Sequence, residues 1–187
     1  MKVRVIDKPC LFAETVYLLY YYINGIAYTR DYERVNRKFG RYLLEKEDQG
    51  LQLAQELELP VSVHDREAHA EMYELLRQYR PRGVLHCYSG SAEDAAWLTA
   101  QGMALGFGGA VTYKGAKRAA KVLAMVPHEL AVLETDCPYM SPEPVRGTRN
   151  DSRNIAHVAA KIGEIWQMDA QSVLDLTAEN AKRIFNQ

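Results

Sequence analysis

Between Leu59 and Thr135, short apolar runs alternate with stretches whose apolar residues recur every three to four positions, and this rhythm limits the possible folds more than any other feature of the chain. The runs Leu59 to His64, Val84 to His86, Met103 to Phe107 and Ala131 to Thr135 are expected strands. Helices are expected from Glu67 to Tyr79, after Ser91, and from Lys114 to Met125. Pro81-Arg82-Gly83, Gly102 and Pro127 punctuate the units, and Ser91 with Asp94 reads as a helix cap. Strands that alternate with helices at this spacing form βαβ units and a parallel sheet, so the fold class is α/β.

Sites in such sheets lie beyond the C-terminal ends of the strands. His64 and His86 close two of the runs and Asp136 follows a third, so the topology brings two imidazoles and a carboxylate to one rim. Neutral nitrogen and anionic oxygen are the donors that Zn²⁺ or Mn²⁺ accepts, and an ion held from one side can activate water for hydrolysis. A single histidine at a strand end is more often a hydrogen-bonded core residue. Three ligand-type residues at equivalent strand ends favour the metal. Cys87 and Cys137 adjoin His86 and Asp136, but alternation along a strand turns Cys87 away from a site that His86 faces.

The flanks of this region are less regular. Residues 1–40 are read as an atypical N-terminal segment and 41–187 as the main domain. In the first, tyrosines crowd the chain, Val3 to Ile6 suggests a strand, Phe12 to Tyr22 a helix and Asn24-Gly25 a turn. Arg41 to Leu57 has helical spacing. At the other end Ile155, Val158, Ala159, Ile162 and Ile165 form a helical stripe, and Thr177 is placed as the cap of a last helix.

The formal net charge of −1 gives no general attraction to polyanions, so a nucleic-acid substrate would need a local basic patch. Candidates in rim loops are Arg66, Lys114, Arg146, Arg149 and Arg153, with Arg66 and Arg146 as the first choices for a two-pronged grip on phosphate. Lys117, Arg118 and Lys121 read as a solvated helix face. Three cysteines suit a reducing compartment, and the expected location is cytoplasmic. The apolar stretch Val16 to Tyr22 is too short for a membrane helix, so no membrane association is expected.

At these residues the chain resembles the TatD family of metal-dependent nucleases and hydrolases, which are amidohydrolase-like barrels. The resemblance lies in the ordered set Leu59-Pro60-Val61-Ser62-Val63-His64-Asp65-Arg66-Glu67-Ala68, His86-Cys87-Tyr88-Ser89-Gly90-Ser91, Leu133-Glu134-Thr135-Asp136-Cys137-Pro138, Arg146-Gly147-Thr148-Arg149-Asn150 and Thr177-Ala178-Glu179-Asn180-Ala181. It implies a (β/α)₈ TIM-type barrel, metal ligation by His64, His86 and Asp136, and Glu134 and Asp136 as the catalytic carboxylates. It also implies Mg²⁺, Mn²⁺ or Zn²⁺ as cofactor and DNA phosphodiesters as substrate. The family's opening His-x-His strand and a later strand glutamate have no counterpart here, since no histidine precedes His64. Asp31 and Glu33 are the nearest acidic substitutes.

A closed barrel of this type usually needs about 250 residues, so four strands imply an incomplete barrel with open edges. The first forty residues pair with one edge, or a second copy completes the sheet as a homo-oligomer, or the chain is the C-terminal part of a family gene with an unrelated leader. Two functions follow: a metal-dependent deoxyribonuclease-like hydrolase, or a non-catalytic relative acting as a weak metal-binding or assembly module.

Overall fold

The computed structural model of the chain describes residues 16–17, 48–65 and 69–185. Five parallel strands lie in sequence order: β1 (Val16–Tyr17), β2 (Val61–His64), β3 (Gly83–His86), β4 (Ala104–Phe107) and β5 (Ala131–Leu133). Helices α1 (residues 48–56), α2 (His69–Tyr79), α3 (Ala92–Ala100), α4 (Lys117–Leu123), α5 (Ile155–Trp166) and α6 (Ala170–Phe185) surround the sheet. The α/β reading and the four expected strands stand.

Alternation divides each strand between two faces. Val61, Val63, Leu85, Leu105 and Phe107 join Leu51, Met72, Leu76, Leu98, Val122, Val158 and Ile162 in the main core. Phe107 is 1 % exposed, and burying one such side chain contributes about 1.5–3 kcal/mol. On the other face Val84, Ala104 and Val132 pack against Ile184 of α6. The next residue of that same face on β3 is His86 and on β4 is Gly106, and the line of β5 continues it to Glu134. The apolar row therefore gives way to polar groups at the C-terminal end of the sheet.

Three local expectations need correction. Val16–Tyr17, expected in a helix, is a strand, in register with Val61 and Ser62 of β2; a β-branched and an aromatic residue suit a strand that covers an otherwise open edge. The helix expected from Lys114 runs from Lys117, because Gly115 takes a left-handed φ of +90° after a 3₁₀ turn at Gly109–Thr112. Thr177 is not a cap: α6 starts earlier, where Asp169 Oδ1 accepts from the Ser172 amide at 3.0 Å, and Thr177 donates to the Val173 carbonyl within the helix. Trp166 extends the buried face of α5 beyond Ile165 and donates its indole N–H to the Leu123 carbonyl. Ser91 caps α3 as expected, accepting from the Asp94 amide at 3.0 Å. The readings at Val3 to Ile6, Asn24-Gly25, Asp31, Glu33 and Arg66 fall outside the described residues.

Candidate metal centre

β2 and β3 pair so that His64 stands beside His86, with ring centroids 5.3 Å apart. His86 Nδ1 donates to Glu134 Oε2 at 2.7 Å, across the width of β4. That reach is possible because the intervening residue is Gly106. A Cβ there would stand 2.3 Å from Glu134 Oε2. Gly106 is thus needed for space, a role hidden in the sequence, where Gly106 looks like one more small residue before the Gly108-Gly109 loop.

The bond to Glu134 fixes the imidazole. With Nδ1 protonated, Nε2 carries the lone pair and faces Asp136 Oδ1 at 3.7 Å. Burial alone would lower the His86 pKa; the hydrogen bond to Glu134 and the charges of Glu134 and Asp136 more than reverse this and raise it above the ordinary value. Glu134 Oε1 is buried and has no hydrogen-bond partner.

Asp136 and Cys87 both have left-handed backbone, with φ of 52° and 51°. L-residues enter that region at a cost of about 1–2 kcal/mol, and here it ends strand alternation immediately beyond β3. Cys87 consequently does not turn away as alternation predicts, and its thiol lies against Glu134. Burial, then the charges of Glu134 and Asp136, push its pKa up to about 12. With no ion beside it, it stays a neutral thiol.

Among the described residues, no three His, Cys, Asp or Glu are gathered closely enough to hold an ion by themselves. His86 and Asp136 nevertheless fit one side of a metal site. Their 3.7 Å separation is close to the roughly 3.4–3.6 Å between two donors each about 2.1 Å from a shared ion. Metal-binding histidines almost always donate their second nitrogen to a carboxylate or carbonyl, as His86 does to Glu134. His64 stands beside this pair without completing a three-donor group.

The basic candidates diverge. Arg146 lies 4.1 Å over the Tyr113 ring and 3.9 Å from Glu143, and Arg153 grips both carboxylate oxygens of Asp151 at 3.1 and 2.9 Å. Arg149 and Lys114 are exposed. His69 pairs with buried Asp65 at the start of α2, and His128 stacks on Trp166 at 4.1 Å.

Asn150, not singled out from the sequence, holds the rim loop together. It is 3 % exposed, and its Nδ2 donates to the Thr135 and Tyr139 carbonyls, both at 2.7 Å. Asn150→Ala should remove both bonds and orphan two carbonyls, lowering stability by about 2–3 kcal/mol; the urea midpoint measures it.

The sequence matches the family described as TatD related DNase over residues 32–186. It is 38 % identical over 136 residues to the uncharacterized metal-dependent hydrolase YabD of Bacillus subtilis, covering 71 % of this chain and 53 % of that one. It is 31 % identical over 144 residues to a protein of Erwinia tasmaniensis named 3′-5′ ssDNA/RNA exonuclease TatD, covering 73 % and 56 %. The crystal structure of YJJV, a TatD homologue from Escherichia coli, superposes with a TM-score of 0.71 at 28 % identity, covering 86 % of this chain and 60 % of that one. The chain spans about half the length of the curated relatives it matches. Among the described residues no helix is long and apolar enough to cross a membrane.

Proposed function

The chain belongs to the family of TatD related DNases, and from that premise we propose that it is a metal-dependent hydrolase that cleaves phosphodiester bonds of DNA. The observation that carries the reading is His86, held by Glu134 on one nitrogen and presenting the other toward Asp136. His86 and Asp136 would hold the divalent ion, with His64 beside them. When bound, Mg²⁺, Mn²⁺ or Zn²⁺ supplies Lewis acidity toward a phosphoryl oxygen and activates water for attack.

The chain's own groups do the positioning. Glu134 keeps the proton on Nδ1 and so keeps the Nε2 lone pair available, and its contact with His86 makes it an orienting group before a base. Arg149 and Arg146 stand in the loop that follows Asp136, where phosphate would arrive. The test is titration with Mn²⁺ and Zn²⁺ by calorimetry, together with hydrolysis of a labelled single-stranded oligonucleotide. Stoichiometric binding with ion-dependent cleavage supports the reading, and no cleavage with any divalent ion overturns it.

A non-catalytic relative is the second reading, favoured by the lack of a three-donor group among the described residues. A related proposal concerns assembly. β5 ends the described sheet, and a second copy is expected to complete its cover. Sedimentation equilibrium should therefore give a mass above one chain, and a folded monomer at micromolar concentration would refute this.

A further inference from the structure

Two loops of the rim are fastened to each other. The first follows β4 and contains the 3₁₀ turn Gly109–Thr112, and the second runs from Asp136 to Asn150 beyond β5. Thr112 Oγ1 donates to the Gly109 carbonyl at 2.7 Å and accepts from the Glu143 amide at 2.8 Å. The Tyr113 hydroxyl donates to the Ser141 carbonyl at 3.1 Å. At Gly109 the two backbones meet so closely that a Cβ would collide with the Met140 carbonyl. Tyr113 is therefore held at its tip as well as at its root.

What its ring carries is Arg146. The guanidinium lies 4.1 Å over the ring centroid, while the side chain remains 54 % exposed. The Glu143 carboxylate stands 3.9 Å away, beyond hydrogen-bond distance, so it balances the charge without occupying the N–H groups. A guanidinium held through its face keeps its in-plane N–H edge for an anion. Tyr113 is also close to the candidate centre. Burial pushes its pKa up against the pull of the Arg146 charge, and Cys87, whose thiol lies against Glu134, adds to the rise. The phenol is thus neutral, with its ring available to a cation.

We propose that Tyr113 is a positioning residue: its ring holds Arg146 so that the guanidinium meets a substrate phosphate beside the candidate metal centre. The assignment rests on the phosphodiester reading and adds to it the residue that aims its charge. An exposed arginine is a flexible chain, and ordering it on binding opposes the gain from its hydrogen bonds. The stack on Tyr113 orders it beforehand. Fastening the two loops together then sets where that charge stands relative to Asp136, at the start of the second loop.

The test is fluorescence anisotropy of a labelled single-stranded oligonucleotide with the full chain, repeated across a range of salt and in chelator so that nothing is cleaved. Arg146→Ala should weaken binding and flatten the dependence of log Kd on log salt by about 0.7, the share of one phosphate contact. Tyr113→Leu removes no charge, yet it should flatten the slope nearly as much and raise the Kd about 5-fold. Tyr113→Phe keeps the ring and loses the bond to Ser141, and it should stay within about twofold of the parent. Tyr113→Leu combined with Arg146→Ala should bind like Arg146→Ala alone. Tyr113→Met, which fills the space without a π-face, replaces Tyr113→Leu if that variant does not fold. A parent-like salt slope in Tyr113→Leu, an equal loss in Tyr113→Phe, or additive losses in the double variant overturns the assignment, as does a parent with no salt-dependent binding. The expected pattern in a protein that cleaves nothing with Mn²⁺ would leave the role of Tyr113 standing and remove the hydrolase reading instead.

Discussion

His86→Asn is expected to fold like the parent and to lose divalent-ion binding together with any ion-dependent cleavage. The amide nitrogen of asparagine falls about where Nδ1 lies in histidine, so the donor to Glu134 survives while the nitrogen facing Asp136 disappears. If the ion contributes several kcal/mol of charge stabilisation, at about 1.4 kcal/mol per factor of ten, the loss of cleavage is on the order of 10³-fold. His86→Ala should lose the same activity and stability besides, since it also strands the Glu134 carboxylate, 15 % exposed, without its partner. Calorimetric titration with Mn²⁺ and urea denaturation on both variants separate the two effects. Parent-like ion affinity in His86→Asn would show that this nitrogen is not a ligand.

Gly106→Ala should produce the opposite mismatch between size of change and size of effect. One methyl group is added, yet it would stand 2.3 Å from Glu134 Oε2 and 3.3 Å from the Cys87 amide. The carboxylate is the far end of a flexible side chain and can swing aside, so the stability change should stay near 1 kcal/mol. What cannot survive the swing is the 2.7 Å bond that orients His86. Losing such an orienting partner typically costs about 10–100-fold in metal affinity or activity. Weakened Mn²⁺ binding with a nearly unchanged unfolding midpoint is the expected pattern. Parent-like binding would place Glu134 outside the chemistry of the ion, and global unfolding would assign Gly106 to packing.

The sheet was legible in the sequence because β2 through β5 carry their own signal: short apolar runs about two to three dozen residues apart, with Pro and Gly punctuating the units between them. The positions of His64, His86 and Asp136 at one rim follow from the same alternation. β1 was not legible, because Val16 and Tyr17 sit in a tyrosine-rich stretch whose period suits a helix equally well, and only pairing with Val61 and Ser62 selects the strand. Cys87 was misjudged for a related reason. Alternation holds only while the backbone is extended, and a left-handed φ one residue past β3 is invisible in residue types other than glycine. Gly106 and Asn150 escaped notice because their roles depend on partners 28 and 11–15 residues away: Glu134 for Gly106, Tyr139 and Thr135 for Asn150.

The division of each strand between two faces has a consequence for how such a sequence can change. Odd-numbered residues Leu85, Leu105 and Phe107 face the main core, while the neighbouring even-numbered His86 and Gly106 face the rim of the candidate metal centre. Substitutions one residue apart thus fall under different selection, the first through foldedness and the second through chemistry. The tips of β3 and β4 are where reactivity can drift while the scaffold stays intact, and a tolerance map along each strand should show a two-residue beat there.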